Sequence, residues 1–519
     1  MSTELARIGG PVAALGLAAL FIAPRRDLRL LGLAAWAAGG VALVPLLAPS
    51  GHRPLLAAAG VFGIGVASLL AVVLARWPWV LPLGALAAFP ARVPVEVGGT
   101  DANLLVPLYG IVAAAAILLA WQLAHGDERV RELGPLAWPL AALVGWFGLS
   151  LAWSDDVREG AVALAFFVLP FGLLALVLSR LEWTRLALTR LYALLAVLAV
   201  GFAAVGIFQW ITRDIFWNPK VIIGNAYHPE LFFRVNSVFW DPSIYGRFLV
   251  VAILATLVVV LLGARREVLA AAIAGIAFVW AGLLVSFSQS SFAALFAGTL
   301  LAAAFVWRWR TAVALGLVTV VALTVAFAIP PSRDSLVDQS RKGLNNATSG
   351  RWGQITQGLR IAGDHPLQGV GLGSFKRAYA DRTGVKGDEP KEAASHNTPV
   401  TVVAETGVPG LLLLGWLLVV ALVTALGRAG ASFGGRVALV VGASLAAIAV
   451  HSLFYNAFFE DPMTWGLLAL AATASRVRDR EGDTLTWHED ASVPDARPAP
   501  APVVAATSSL TVPPQAERP

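Results

Sequence analysis

The sequence predicts an all-α polytopic membrane protein with about 13 to 15 transmembrane helices. Hydrophobic residues make up 58% of its 519 residues, charged residues only 13%, and the mean hydropathy is +0.74. A soluble chain of this length needs far more charge to cover its surface. The apolar stretches are continuous rather than alternating, which disfavours a membrane β-barrel.

The apolar stretches give the candidate spans in chain order. They are residues 8–23, 30–48, 55–75, 77–90, 103–123, 135–153, 159–179, 190–211, 243–263, 268–287, 291–307, 311–330, 400–426, 434–455 and 462–475. The fourth stretch is short and flanked by prolines, so a re-entrant segment explains it equally well.

These spans divide the chain into five parts. They are an N-terminal transmembrane bundle (1–211), central transmembrane helices with a first outer loop (212–330), a large extracytoplasmic loop containing short helices (331–398), C-terminal transmembrane helices (399–475) and a cytoplasmic tail (476–519). A structureless loop as long as the third part is uncommon and usually functional. The tail is polar and proline-rich, which is typical of disorder.

Arginine clusters in the short loops predict the orientation of the chain. When the spans alternate, all these clusters fall on one side, which the positive-inside rule makes cytoplasmic. The segments 91–103, 212–242 and 331–398 then lie outside, as does the N-terminus if all fifteen spans are real. The net charge of +6 follows from these loops and does not indicate nucleic-acid binding. The absence of cysteine excludes disulfides and thiolate zinc sites.

Within the large loop, SGRWGQITQGLRIAGDHP predicts a short amphipathic helix with Ser349 as its N-cap. Its apolar stripe consists of Trp352, Ile355, Leu359 and Ala362. Arg351 falls in the first turn, where a guanidinium and free backbone N–H groups can bind one anion. A helix lying on the membrane surface, with Arg351 facing lipid headgroups, explains the same pattern.

The stretch GVGLGSF, residues 369–375, is rich in glycine. A phosphate-binding loop would need a GK[ST] ending and a preceding strand, and the sequence has neither. We therefore predict a tight turn in which backbone segments approach closely.

The stretch SHNTPVTVVAETGVPG, residues 395–410, leads from the loop into a membrane span. Pro399 suits the first helical turn, with Asn397 or Thr398 as the cap. His396 then lies just outside the helix, where a neutral imidazole can accept a proton from a hydroxyl group; a structural or capping role is the alternative. Glu405 is about 13 Å further along a continuous helix and on its opposite face. A carboxylate inside the bilayer needs a partner, so we expect an arginine or polar groups on a neighbouring helix.

A third polar stretch, FFRVNSVFWDPSIYGRF, precedes the span at 243 and contains Arg234, Asp241 and Arg247. An arginine at the outer membrane face can bind a lipid-linked phosphate or anchor the chain at the interface. The outer segments contain no HExxH or DxD motif and no carboxylate cluster, so we expect no metal and no other cofactor.

In order and spacing, RVNSVFWDPSIYG, SGRW with PLQGVGLGSF, and SHNTPVTVVAETGVPG resemble the O-antigen ligase and polymerase family of bacterial envelope proteins. The resemblance covers residues 201–470. It implies a GT-C-like fold and a metal-independent, inverting glycosyltransferase whose donor is a glycan linked to polyprenyl diphosphate. It also implies that His396 is the base and that Arg234 and Arg351 hold the diphosphate. The supporting residues would be Glu405, Asn397, Asp241 and Arg247.

The sequence departs from the family pattern at Gln289, which occupies the position of a usual arginine. Arg247 or Lys376 could compensate for it. The expected activity is transfer or polymerisation of the glycan on the outer face of the bacterial cytoplasmic membrane, with a glycan or lipid as acceptor and membrane lipids around the protein. A polymerase or a general polysaccharide transferase is the preferred interpretation, although ligases share these motifs. A transporter or flippase and a non-catalytic assembly scaffold are the alternatives.

Overall fold

The computed structural model describes residues 1–48, 53–97, 100–129, 132–227, 233–263, 265–307, 351–384 and 395–476, with residues 309–310, 313–314, 316–317 and 486–487. Twelve helices in this part of the chain are long and apolar enough to cross a membrane. The predicted class, an all-α polytopic membrane protein, is confirmed.

The described spans are fewer than the predicted 13 to 15 for three reasons. The fourth stretch forms a helix of only nine residues, Val80–Ala88, and the last forms a twelve-residue helix, Pro462–Thr473. Most of the predicted span at 311–330 lies outside the described residues. So do residues 331–350 and 385–394 of the large loop, and nearly all of the tail.

In the described residues, the N-terminal half contains ten α-helices. They are α1 (Ser2–Ile22), α2 (Arg26–Leu47), α3 (Arg53–Arg76), α4 (Val80–Ala88), α5 (Val106–Ala124), α6 (Ala137–Ser150), α7 (Val157–Ala163), α8 (Leu169–Ser179), α9 (Arg185–Thr212) and α10 (Pro219–Tyr227). Helices α7 and α8 form one continuous span, Val157–Ser179. An antiparallel hairpin, β1 (Val93–Val97) with β2 (Thr100–Leu104), precedes α5. Neither this hairpin nor α10 was predicted.

The C-terminal half contains eight further helices in the described residues. They are α11 (Pro242–Leu261), α12 (Arg266–Ser286), α13 (Gln289–Trp307), α14 (Arg351–Asp364), α15 (Phe375–Thr383), α16 (Thr398–Leu426), α17 (Phe433–His451) and α18 (Pro462–Thr473). The short strands β3 (Leu181–Glu182) and β4 (Thr486–Trp487) pair with each other. Apolar side chains from most of the spans form one large core.

A buried ionic cluster joins four segments at one end of the helices. Arg29 lies 2.7 Å from the Glu132 carboxylate, which also pairs with Arg180. Arg180 further pairs with Asp127, and Arg476 donates to the Glu132 carbonyl. Burial lowers the pKa of Arg180 to about 10, against the opposing charge of Glu132. The cluster thus brings the arginines of three predicted cytoplasmic clusters to one place.

Candidate active site

The predicted loop helix is α14, and Arg351 is its first residue. Only half of the predicted apolar stripe is packed: Ala362 is buried and Ile355 contacts the same cluster, whereas Trp352 and Leu359 are 48% and 53% exposed. The residues that pack against the protein are Gln354, Gly358, Ile361 and Ala362. Gly358 has no side chain, which lets α14 approach Val400 of α16 and Phe375 of α15 closely. The proposed cap, Ser349, lies outside the described residues.

The glycine-rich stretch forms a tight turn, as predicted. Gly369, Gly371 and Gly373 all have positive φ, between 63° and 90°, which other residues rarely adopt. A Cβ atom on Gly371 would collide with the backbone of Ser154, and one on Gly373 with the backbone of Gly160. The turn therefore packs backbone against backbone at the start of α7.

The same turn also docks on α16, which is broken at Gly407 (φ 70°, ψ −176°). The break leaves helix carbonyls without intrahelical donors. The Ala404 carbonyl accepts the Val370 N–H at 3.0 Å, and the Glu405 carbonyl accepts the Gly371 N–H at 2.7 Å. The indole of Trp146 donates to the Thr406 carbonyl at 2.8 Å. The loop and α16 thus complete each other's backbone hydrogen bonds.

The Glu405 side chain holds the turn from inside α16. Its Oε1 accepts the backbone N–H of Phe375, the first residue of α15, at 3.1 Å. The carboxylate is buried. Of the two partners expected from the sequence, an arginine or polar groups on a neighbouring element, the structure has the second. Glu405 therefore positions the loop.

Asn397 caps α16, which places His396 immediately outside the helix. Asn397 Oδ1 accepts the Val400 N–H at 3.0 Å, and its Nδ2 donates to the Leu453 carbonyl at 2.9 Å. His396 itself is half-buried and has φ 50°, in the left-handed region. Non-glycine residues with such backbone angles are uncommon and cluster at functional sites. The capping role considered for His396 belongs to Asn397.

Three charged groups act on His396 or on its neighbours. Burial lowers the pKa of His396, the charge of Arg351 lowers it further, and the Asp241 carboxylate acts in the opposite direction. Burial also lowers the pKa of Arg351, and the charge of Arg234 adds to this effect. Such effects require nearby charges. The structure therefore brings His396, Arg351, Arg234 and Asp241 together from three separate parts of the chain.

Arg234 is held between α10 and the end of α12. Its backbone N–H donates to Asn225 Oδ1 at 3.0 Å, and its carbonyl accepts from Asn225 Nδ2 at 2.9 Å. The guanidinium Nε donates to the Ser286 carbonyl at 3.3 Å. Asn225 therefore fixes the backbone of Arg234, and the Ser286 carbonyl orients its guanidinium.

Two of the supporting residues have structural partners. Asp241 caps α11 and accepts the Ser243 N–H at 2.6 Å. Arg247 is 2% exposed, and its Nε lies 2.8 Å from the Asp461 carboxylate. Because Arg247 is buried and paired, it does not replace the arginine missing at position 289. Gln289 and Lys376 are both exposed, at the first turns of α13 and α15.

The segment between α17 and α18 contributes residues that the sequence analysis missed. Tyr455, Asn456 and Glu460 lie there, in the polar stretch YNAFFEDP between two spans. Glu460 lines a cleft. Desolvation by the surrounding protein raises the pKa of its carboxyl group, whereas the charges of Arg92 and Arg247 act to lower it. Burial likewise raises the pKa of Tyr455, and Asp241 adds to this effect. A polar stretch between two apolar spans was the available signal.

The fold and this cluster define a multi-pass membrane protein that gathers one imidazole and two guanidinium groups at the entry to a broken span. Residues 274–415 match the family described as O-antigen ligase, from α12 into the broken α16. These residues are thus similar to that family, and the resemblance inferred from the sequence is confirmed over this part of the chain. The match and the membrane-spanning helices support a membrane enzyme that processes glycans. No curated protein matches the chain.

Proposed function

We propose that the protein is a metal-independent, inverting glycosyltransferase with a GT-C-like fold, which transfers or polymerises a glycan from a polyprenyl-diphosphate carrier. The reaction takes place on the outer face of the bacterial cytoplasmic membrane. The observation that carries this proposal is the grouping of His396 with Arg351 and Arg234 beside a membrane span. A base and two fixed positive charges are what a direct displacement at a glycosyl diphosphate requires.

His396 acts as the base in this reaction. The acceptor hydroxyl attacks the anomeric carbon and gives its proton to the imidazole. The bond from that carbon to the diphosphate oxygen breaks, and the electron pair leaves with the diphosphate. The lowered pKa of His396 keeps the imidazole neutral at neutral pH, so it can accept this proton. One direct displacement inverts the anomeric configuration.

Arg234 and Arg351 stabilise the leaving group. The diphosphate gains negative charge as the bond breaks, and the two guanidinium groups stabilise this developing charge. Without a bound diphosphate, the two positively charged groups repel each other. The Arg234 charge that lowers the pKa of Arg351 is evidence of this repulsion. A bound diphosphate relieves it.

Replacement of His396 tests the proposal. Asparagine tolerates positive φ, so His396→Asn removes the imidazole while keeping the left-handed backbone. We expect turnover of a lipid-linked oligosaccharide, measured as release of polyprenyl diphosphate and as a lengthened or transferred glycan, to fall by about 10²- to 10⁴-fold. The control is His365→Asn, an exposed histidine just after α14. Full activity of His396→Asn would refute the assignment of the base.

Substitutions of Arg351 test donor binding separately. Arg351→Ala should raise the KM for the donor, and Arg351→Lys should restore it only in part, because an ammonium group replaces a bidentate fork. The control is Arg360→Ala, which removes an exposed arginine from the same helix. An equal effect of both alanine substitutions would point to general electrostatic attraction instead.

A further inference from the structure

A cleft with a cavity volume of about 80 Å³ lies beside the first turns of α16 and is partly open to solvent. Its walls come from α6, from the α7–α8 span, from the glycine-rich turn and from the segment between α17 and α18. The lining residues used below are Phe147, Phe167, Thr398, Glu405, Asn456 and Glu460.

The lining combines hydrogen-bonding groups with aromatic rings. Asn456 and Glu460 offer amide and carboxyl groups, while Phe147 and Phe167 offer flat apolar surfaces. Hydroxyl groups bond to the former, and the C–H face of a sugar ring packs on the latter. Among the described residues around the cleft, the charged ones are Glu405 and Glu460, both acidic, which suits an uncharged sugar better than a phosphate.

Thr398 supplies a second, independent observation. This residue is 2% exposed, and its Oγ1 is buried without a hydrogen-bond partner. Buried hydroxyl groups are nearly always hydrogen-bonded, because an unpaired one is destabilising. A ligand hydroxyl in the cleft would give Thr398 its partner.

The cleft and helix α14 lie on opposite faces of α16. Thr398, Thr401, Val402 and Glu405 face the cleft at helical spacing. Val400 and Ala404, on the opposite face, pack in one cluster with Ile361 of α14, the helix that begins at Arg351. His396 immediately precedes α16. The base thus comes directly before a helix that has α14 on one face and the cleft on the other.

This order matches the geometry of a displacement. The attacking oxygen and the departing diphosphate must lie on opposite sides of the anomeric carbon. Asp241 links the two sides, because its charge acts both on His396 and on Tyr455, the residue before Asn456. A hydroxyl presented from the cleft would therefore approach from the face of α16 opposite to α14, the helix that begins at Arg351.

We infer that this cleft binds the terminal sugar of the acceptor glycan, with Asn456, Glu460 and Thr398 bonding its hydroxyl groups and Phe147 and Phe167 packing on its ring. The inference rests on the proposed glycosyl transfer. It makes the acceptor a sugar rather than a lipid tail at the point of attack.

Direct binding of free sugars tests the inference without requiring turnover. The probe is a set of short oligosaccharides released by mild acid from the surface polysaccharide of the cells that make the protein, and the method is saturation-transfer NMR on the full chain in detergent. We expect binding by the native protein and by His396→Asn. Asn456→Ala removes one hydrogen bond, and the isosteric Glu460→Gln replaces a charge-assisted hydrogen bond by a weaker neutral one. Each should weaken binding by about tenfold.

The matched control is Phe166→Leu beside Phe167→Leu. Phe166 is the neighbouring residue but does not line the cleft, and it stacks near Tyr109 instead. Phe167→Leu should weaken binding and Phe166→Leu should not. The midpoint of thermal unfolding of each variant shows whether it is folded. If Asn456→Ala does not fold, the isosteric Glu460→Gln alone tests the sugar-binding assignment.

The outcomes separate this inference from the proposed function. Binding that these substitutions leave unchanged, or no binding by the native protein, overturns the cleft assignment even if polyprenyl diphosphate is released normally. If the protein shows no turnover but binds sugars in a way that depends on Asn456 and Glu460, the cleft assignment is supported and the proposed glycosyltransferase activity is rejected. In kinetics, Glu460→Gln should raise the KM for the acceptor and leave that for the donor unchanged.

Discussion

His396 owes its chemical character to its surroundings. Half-burial and the charge of Arg351 both favour the neutral imidazole, and Asp241 opposes them. The backbone at φ 50° sets the residue apart from the helix that follows, where Asn397 provides the cap. The sequence order His-Asn therefore separates two tasks: Asn397 fixes the helix end, and His396 is left to face the charged groups.

The pH dependence of turnover follows from these charges. A base must be deprotonated, so kcat/KM should fall on the acid side through the pKa of His396, below its ordinary value of about 6.5. Arg351→Gln removes a charge that lowers this pKa, so the acid limb should move to higher pH. Asp241→Asn removes a charge that raises it and keeps a capping side chain, so the limb should move to lower pH.

These two shifts are read from kcat/KM profiles normalised to each variant's maximum, which separates the pKa of the base from the loss of donor affinity. Arg360→Gln, on the exposed side of α14, is the control and should leave the limb in place. Shifts in the same direction for Arg351→Gln and Asp241→Asn would show that His396 is not the titrating group.

The sequence indicated some residues of the site better than others. His396, Arg234 and Arg351 stand in motifs with characteristic neighbours, and these motifs predicted them. The pairing of Arg247 with Asp461 could not be predicted, because it joins the first turn of α11 to the start of α18. Asn456 and Glu460 were also missed because their role depends on tertiary packing. They line a cleft only because α6 and the α7–α8 span pack against their segment.

At the scale of elements, the site depends on a broken helix and a turn that stabilise each other. The break at Gly407 frees carbonyl groups of α16, and the turn offers the N–H groups of Val370 and Gly371 to them. The tight turn was predicted from its glycines, whereas the helix break was not. Backbone groups carry no residue-specific signal, so the sequence could not show which segment would satisfy them.

Glu405 links these two elements, and its role is testable. Glu405→Ala leaves the Phe375 N–H buried without an acceptor, which should cost about 1–3 kcal/mol of stability and loosen the turn. Glu405→Gln keeps an acceptor oxygen at the same place and should be close to the native protein. Thermal unfolding in detergent measures both. If glutamine proved as damaging as alanine, the negative charge itself would be required.

The glycine-rich turn allows a second test at this scale. Gly373→Ala forces a Cβ against Gly160 at φ 81°, so it should destabilise the protein by about 1–3 kcal/mol from backbone strain, with a further loss from the clash. Gly363→Ala is the matched control, because Gly363 lies within α14 with open space at its Cβ. The control should be neutral or slightly stabilising. Equal melting temperatures for the two variants would contradict the close packing.

At the scale of the whole molecule, one span connects two charged regions. The span Val157–Ser179 begins beside the glycine-rich turn, through Gly160, and ends next to Arg180 of the buried ionic cluster. Likewise, α18 begins beside Asp461 and is followed by Arg476. The candidate active site and the ionic cluster therefore lie at opposite ends of the same helices, and the positive-inside rule predicts that the cluster end is cytoplasmic.

The chain has no cysteine, so single introduced cysteines can establish this orientation without background. Asp381→Cys is in α15, on the site side, and Arg428→Cys follows the other end of α16; both positions are exposed. A membrane-impermeant maleimide applied to intact spheroplasts should label Asp381→Cys, and should label Arg428→Cys only after the membrane is permeabilised. The native chain, which should remain unlabelled, is the control. The reverse pattern would place His396, Arg234 and Arg351 on the cytoplasmic side and would contradict the proposed site of reaction.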